Sequence, residues 1–248
     1  LSVDGLLDNR QQGTVSSGGD AVVTAGRLDN TQGTVAAAQA LTLTSQAGID
    51  NAGGIVQAGQ ELQLSADGLA NAGGNVIAAK ATIDTRGQLL DNSDGTIASL
   101  EDGLTINSGT LQNNAGLIQS AAALVVDTGA QSLLNRDSGS AGIVSAGTLA
   151  IRSGALDNRN GVVFAQGNAQ LDATNIDNRQ GGSMVGAADL TLRAQSLANA
   201  TGVVKAGGNA TVDVRGALDN QAGLVAANGE LVLNAATVDN RNTAVAGQ

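Results

Sequence analysis

The chain has 248 residues, a net charge of −10 and 42% apolar residues, yet only one aromatic residue, Phe164, and no Pro, Cys, His, Trp or Tyr. That composition excludes a disulfide framework, thiol or imidazole chemistry and a core built on rings. With 12 Lys and Arg set against 22 Asp and Glu, it leaves no basic stripe for nucleic acid, and the apolar fraction is too high for a disordered chain.

Along the chain, Asn recurs as Asn9, Asn30, Asn51, Asn71, Asn92, Asn113, Asn135, Asn158, Asn178, Asn199, Asn220 and Asn240. The intervals are 21, 21, 20, 21, 21, 22, 23, 20, 21, 21 and 20 residues. Such regularity means one small unit stacked many times, each unit burying its apolar face against its neighbours.

In the unit from Asn30, three short alternating runs follow one another. The first holds Val35 and Ala37, the second Leu41 and Leu43, and the third ends on Ile49 just before Asn51. Alternation with period two is the strand signal, and no helical spacing competes with it. Later units repeat the pattern, with Val56, Val76, Ile97, Ile118, Val163, Val204, Val225 and Val245 five residues after their Asn. The expected fold is all-β: a parallel β-helix of about twelve coils of 20–23 residues, three short strands per coil, closing a prism of three parallel sheets. At ~4.8 Å per coil the rod would measure roughly 55–60 Å. The Asn column would become an inward ladder of amides. Gly lies three residues after Asn in nine units, from Gly33 and Gly54 to Gly181, Gly202 and Gly223; there a turn with positive φ is expected. The absence of Pro fits interior strands that need every N–H.

Leu28-Asp29-Asn30-Thr31-Gln32-Gly33-Thr34-Val35-Ala36-Ala37 and Leu218-Asp219-Asn220-Gln221-Ala222-Gly223-Leu224-Val225-Ala226-Ala227 resemble the repeats of filamentous haemagglutinins. The resemblance rests on the twelve-fold recurrence and covers essentially the whole chain. It implies a right-handed β-helix and export through the outer-membrane transporter of a two-partner secretion system. It also implies an extracellular or cell-surface location, and a role as an adhesin or as the shaft of a contact-dependent growth inhibition toxin. The family's secretion domain carries Asn-Pro motifs; without Pro, this chain reads as the shaft alone. Residues 1–248 are taken as one continuous segment within a longer protein, with no membrane-spanning segment.

Several features stand out from the bare repeat. Asp precedes Asn in Asp8, Asp29, Asp50, Asp91, Asp157, Asp177, Asp219 and Asp239. This column reads either as a solvated row, offset by Arg10, Arg136, Arg159, Arg179 and Arg241 after the Asn, or as a weak cation site. The Gly-rich nonapeptide of calcium-binding β-rolls is absent. The stretch 131–147 breaks the period with a Ser/Gly-rich insert and is expected to bulge. Phe164 falls on the outward phase, beside an outward column with Ile55, Leu117, Val162, Val203 and Leu224. These residues form either a contact surface, for a partner such as a target-cell receptor or glycan or for a neighbouring region of the parent chain, or scattered surface aliphatics. Catalytic, cofactor-binding and metal sites are not expected. A polysaccharide-degrading β-helix enzyme would need a loop-walled groove with clustered acid and base, and a leucine-rich repeat would need a helical turn per unit.

Overall fold

A computed structural model describes residues 1–242. Among the described residues there is no helix, and every strand pairs in parallel with a strand one coil away. The coil from Asn30 shows the plan: strands Thr34–Ala37, Leu41–Ser45 and Ile49–Asp50, then the next Asn. First-run strands stack in sequence order into an 11-stranded sheet, from Thr14–Ser17 to Leu224–Ala227. The described chain thus makes eleven full windings. Val245, expected in a twelfth first run, lies outside the described residues.

The second and third runs join in one 18-stranded sheet, so the prism has two hydrogen-bonded sheets rather than three. The reason is local. Strands Ala21–Asp29, Leu149–Asp157, Ala169–Asp177, Ala210–Asp219 and Leu231–Asp239 pass through both runs without a break. In several other coils a buried hydroxyl pins a corner between them. Ser45 donates to the carbonyl of Gly48 at 3.3 Å, Thr85 to that of Gln88 at 2.6 Å, and Thr128 to that of Gln131 at 2.6 Å. In the continuous strands the position holds Ala25, Ala173, Val214 or Ala235, which offer no such bond. Ala66 and Ala194 break without a hydroxyl, so the bond assists the corner and is not its only cause. Ser153 has the hydroxyl but lies in a continuous strand; its Oγ is buried without a partner.

Like residues stack on like. Val35, Val56, Val76, Ile97, Ile118, Ile143, Val163, Met184 and Val204 pair in register and are 0–1% exposed. This column and the Leu and Ile columns of the other runs form one core along the rod. Burial of such aliphatic side chains is the main driving force, at ~25 cal/mol per Å² of apolar surface. Lengthened turns after Asn9, Asn135 and Asn178 absorb extra residues, so that Val15, Ile143 and Met184 still reach the column. In the irregular stretch the chain leaves Leu133–Leu134, turns through the exposed Ser140, and resumes at Gly142–Ser145. Ser138 is buried in that turn, and its Oγ accepts the Val162 N–H at 2.9 Å.

The turn glycine differs from expectation. The left-handed residue is the one before it: Gln32 (φ 56°), Gly53 (60°), Gly73 (62°), Asp94 (55°), Ala115 (55°), Asn160 (51°), Thr201 (62°) and Ala222 (53°). The glycine itself is required by crowding. A Cβ on Gly116 would overlap the carbonyl oxygen of Asn92 one coil back and lie 2.6 Å from Oδ1 of Asn113. Gly181 is left-handed (φ 81°), and Gly182 takes the crowded position in its coil.

Two adjacent substitutions should therefore act with opposite sign. Ala115→Gly relieves a left-handed non-glycine residue and should raise stability by up to ~1 kcal/mol, net of the added chain entropy. Gly116→Ala should lower it by more than ~2 kcal/mol, as expected of overpacking against fixed backbone. Urea unfolding of the two variants measures both, and equal or reversed effects would contradict the assignment.

Candidate functional site

All twelve Asn side chains lie in one column inside the turn. From Asn30 to Asn199 each is 0% exposed. Each Nδ2 donates to Oδ1 of the next Asn, at 2.6–2.8 Å, in all eleven steps from Asn9 to Asn240. In seven rungs, Asn30, Asn51, Asn71, Asn92, Asn158, Asn178 and Asn199, the same Nδ2 reaches carbonyls on both sides of the step. For Asn30 these are Gly33 O in its own turn at 3.3 Å and Ile55 O in the next coil at 3.0 Å. Asn113 makes only the first kind of carbonyl bond, to Gly116 O, because the next turn is the lengthened one. Every amide points the same way, so the ladder is a head-to-tail chain of dipoles in which each bond polarises the next.

The Asp column has a structural task that its spacing does not disclose. All eight carboxylates accept the backbone N–H two residues on, at 3.0–3.3 Å, and so close the entry to the turn. This is the Asx-turn bond available to Asp at such positions. Where Arg follows the Asn of an Asp-Asn pair, its guanidinium grips the same carboxylate with two nitrogens, as in Arg159–Asp157 at 3.0 and 2.8 Å and Arg179–Asp177 at 2.8 and 2.6 Å. Arg136, which follows no such Asp, reaches Asp157 one coil on at 3.6 Å. Arg159 likewise reaches Asp177 at 3.6 Å, so opposite charges alternate along this edge. The Arg10 side chain and backbone N–H beside Asp8 hold its carboxyl at about 2. Arg179 likewise lowers Asp177, against an opposing effect of burial.

The outward apolar residues do not form an unbroken stripe. Ile55 is 38% and Leu224 42% exposed. Ile55 is separated from Leu117 by Asn75 and Thr96, and Leu117 from Val162 by Gly142. Among the described residues a compact patch exists only around Phe164, which pairs with Val144 on one side and Val185 on the other, with Val162 on the adjoining column and Val203 beyond the intervening Ser183. Val144 and Val185 escape a reading by period because the lengthened turns after Asn135 and Asn178 shift them out of phase with the other units.

A family model described as the haemagglutinin repeat matches residues 1–53, 46–102, 89–137, 134–222 and 206–248, which together span the chain. Neither comparison with curated proteins nor comparison with solved structures gave a match.

The Asp8–Arg10 pair gives a pH test. A carboxyl lowered in the folded state contributes stability that is present above its unfolded value, near 4, and is lost as pH falls toward 2. Arg10→Gln should return the Asp8 carboxyl toward the ordinary value, ~3.9, in an NMR titration; an Asp8 titration unmoved from about 2 would contradict the assignment to Arg10.

Proposed function

The chain belongs to the haemagglutinin-repeat family, and we propose that it serves as a shaft segment of a secreted bacterial exoprotein, holding a distal binding or toxic region away from the cell that makes it. The repeat is typical of secreted or cell-surface proteins, and family and β-solenoid together point to a shaft or adhesin-type segment rather than to an enzyme.

One observation carries the shaft reading: the inside of the coil repeats and the outside does not. Inward, the first run gives Val35, Val56, Val76, Ile97, Ile118 and onward in register. Outward, the neighbouring column gives Ala36, Gln57, Ile77, Ala98, Gln119, Val144, Phe164, Val185, Lys205 and Ala226. What recurs is what builds a rod. Coil-wise assembly also suits export through a narrow pore of an outer-membrane transporter, since each coil leaving the pore can dock on the one before it.

The second reading is a binding module in which the flank of the rod meets a receptor or glycan on a target cell. The Phe164 patch is the observation that favours it.

Coil deletion separates the two. Removing residues 51–112 takes out three whole windings and rejoins Asp50 to Asn113. Small-angle scattering should find a folded rod shorter by about 14 Å, at ~4.8 Å per coil, and the intact chain should show no saturable binding to target cells that depends on Phe164. Loss of folding on deletion would contradict interchangeable coils. Saturable binding that disappears on Phe164→Ser would establish the module instead.

A further inference from the structure

Outside the bend where the second run passes into the third, a groove of about 790 Å³ runs along the rod over the coils of Leu149–Asp157 to Leu231–Asp239. A smaller depression, lined by Asp127, Arg152 and Asp172, continues it toward the N-terminal coils. In strict register, one residue per coil, the groove presents Asp127, Arg152, Asp172, Arg193 and Asp213. Charge alternates at every step.

The arginines here are in a different state from those on the Asp-Asn edge. Arg10, Arg159, Arg179 and Arg241 are each held by two bonds from a neighbouring carboxylate. Arg152 and Arg215 have no ion pair among the described residues, and both line the groove. Arg193 makes a single long contact, 3.4 Å to Asp172, with 55% of its side chain exposed. Three guanidiniums therefore offer donors along one channel, with carboxylate acceptors between them.

We infer that this groove binds an acidic polysaccharide in which a carboxylated sugar alternates with a neutral one. The coil spacing, ~4.8 Å, is close to the advance of one pyranose ring in an extended chain. Arg152 and Arg193 sit two coils apart, roughly 10 Å, and so meet carboxylates on every second sugar. A guanidinium pairs a carboxylate with two parallel bonds. Asp172 already accepts from Gln170 at 2.6 Å and from Arg193 at 3.4 Å, and Asp213 from Asn234 at 2.6 Å; the remaining lone pairs of these carboxylates accept hydroxyl or amide N–H donors from the intervening neutral sugars. A ligand charged on every unit, such as a nucleic acid or polyphosphate, would set an anion against each of those carboxylates. An extended peptide gains little, because the strands beneath already spend their backbone groups on the neighbouring coils and leave no edge to augment. With one aromatic residue in the chain, recognition rests on polar contacts and falls off with salt. The inference is independent of the shaft reading, and its failure would leave the rod intact.

Isothermal titration of the whole chain with hyaluronate oligosaccharides, in which glucuronate alternates with N-acetylglucosamine, tests it. Binding is expected at low ionic strength. It should weaken at least tenfold in the double variant Arg152→Gln with Arg193→Gln, whose melting temperature should match the parent's, and should be unaffected by Arg27→Gln outside the groove. Polygalacturonate, carboxylated on every sugar, should bind more weakly. No binding by the parent, equal binding by the double variant, or equal preference for polygalacturonate or polyglutamate would overturn the proposal.

Discussion

A stacked coil cannot satisfy its own buried polar groups, and that constraint shapes the whole molecule. Each Asn side chain from Asn30 to Asn199 is 0% exposed, so its amide must find partners in the coils above and below. A buried hydrogen bond contributes ~1 kcal/mol, whereas a buried donor left alone costs ~1–3 kcal/mol. The penalty for a misplaced coil thus exceeds the reward for a placed one, and register is enforced at each turn. The glycine behind nine of the rungs, from Gly33 to Gly223, follows from the same geometry: the turn is drawn so close to the previous coil that a side chain has no room. Asp at the turn entry and Arg beyond it complete the polar side of the arrangement.

The period made the core columns and the ladder legible, because identical spacing places like residues over like. The same spacing hid three things. Period alone could not separate a glycine chosen for positive φ from one chosen for crowding, and the left-handed residue turned out to be Gln32, Ala115 or Ala222, types that do not advertise it. Lengthened turns at Asn9, Asn135 and Asn178 are insertions in sequence but not in register; they moved Val144 and Val185 out of phase and hid their contact with Phe164. The merging of second and third runs depends in part on whether a corner carries Ser45, Thr85 or Thr128, a single hydroxyl within a Gly- and Ala-rich stretch.

The outer surface follows a different logic from the core. Inward columns are nearly invariant down the rod, so one coil can replace another with little change in packing. Outward columns are free to vary, and the chain uses that freedom unevenly. One edge ties four of its eight Asp, Asp8, Asp157, Asp177 and Asp239, into closed Asp–Arg pairs. The Leu149–Asp239 bend leaves its charges alternating, with Arg152 and Arg215 in no ion pair among the described residues and Arg193 in one long one. One patch of the first-run sheet gathers Phe164 with Val144 and Val185. A scaffold whose stability is settled inside can carry such local differences at little cost.

The central claim is that the amide ladder fixes the coils in register, and Asn113 tests it most directly. Asn113→Asp keeps the acceptor for Asn92 but at neutral pH removes the donor to Asn135 and buries a charge. Burial raises the folded carboxyl above its unfolded value, ~3.9, so the penalty should grow as pH rises between the two and shrink on acidification, when the protonated acid can donate again. Urea unfolding at pH 5 and pH 7 should show Asn113→Asp losing more at pH 7 than Asn113→Ala, which should lose about 2 kcal/mol at either pH. An alanine variant as stable as the parent, with an aspartate variant indifferent to pH, would contradict the account.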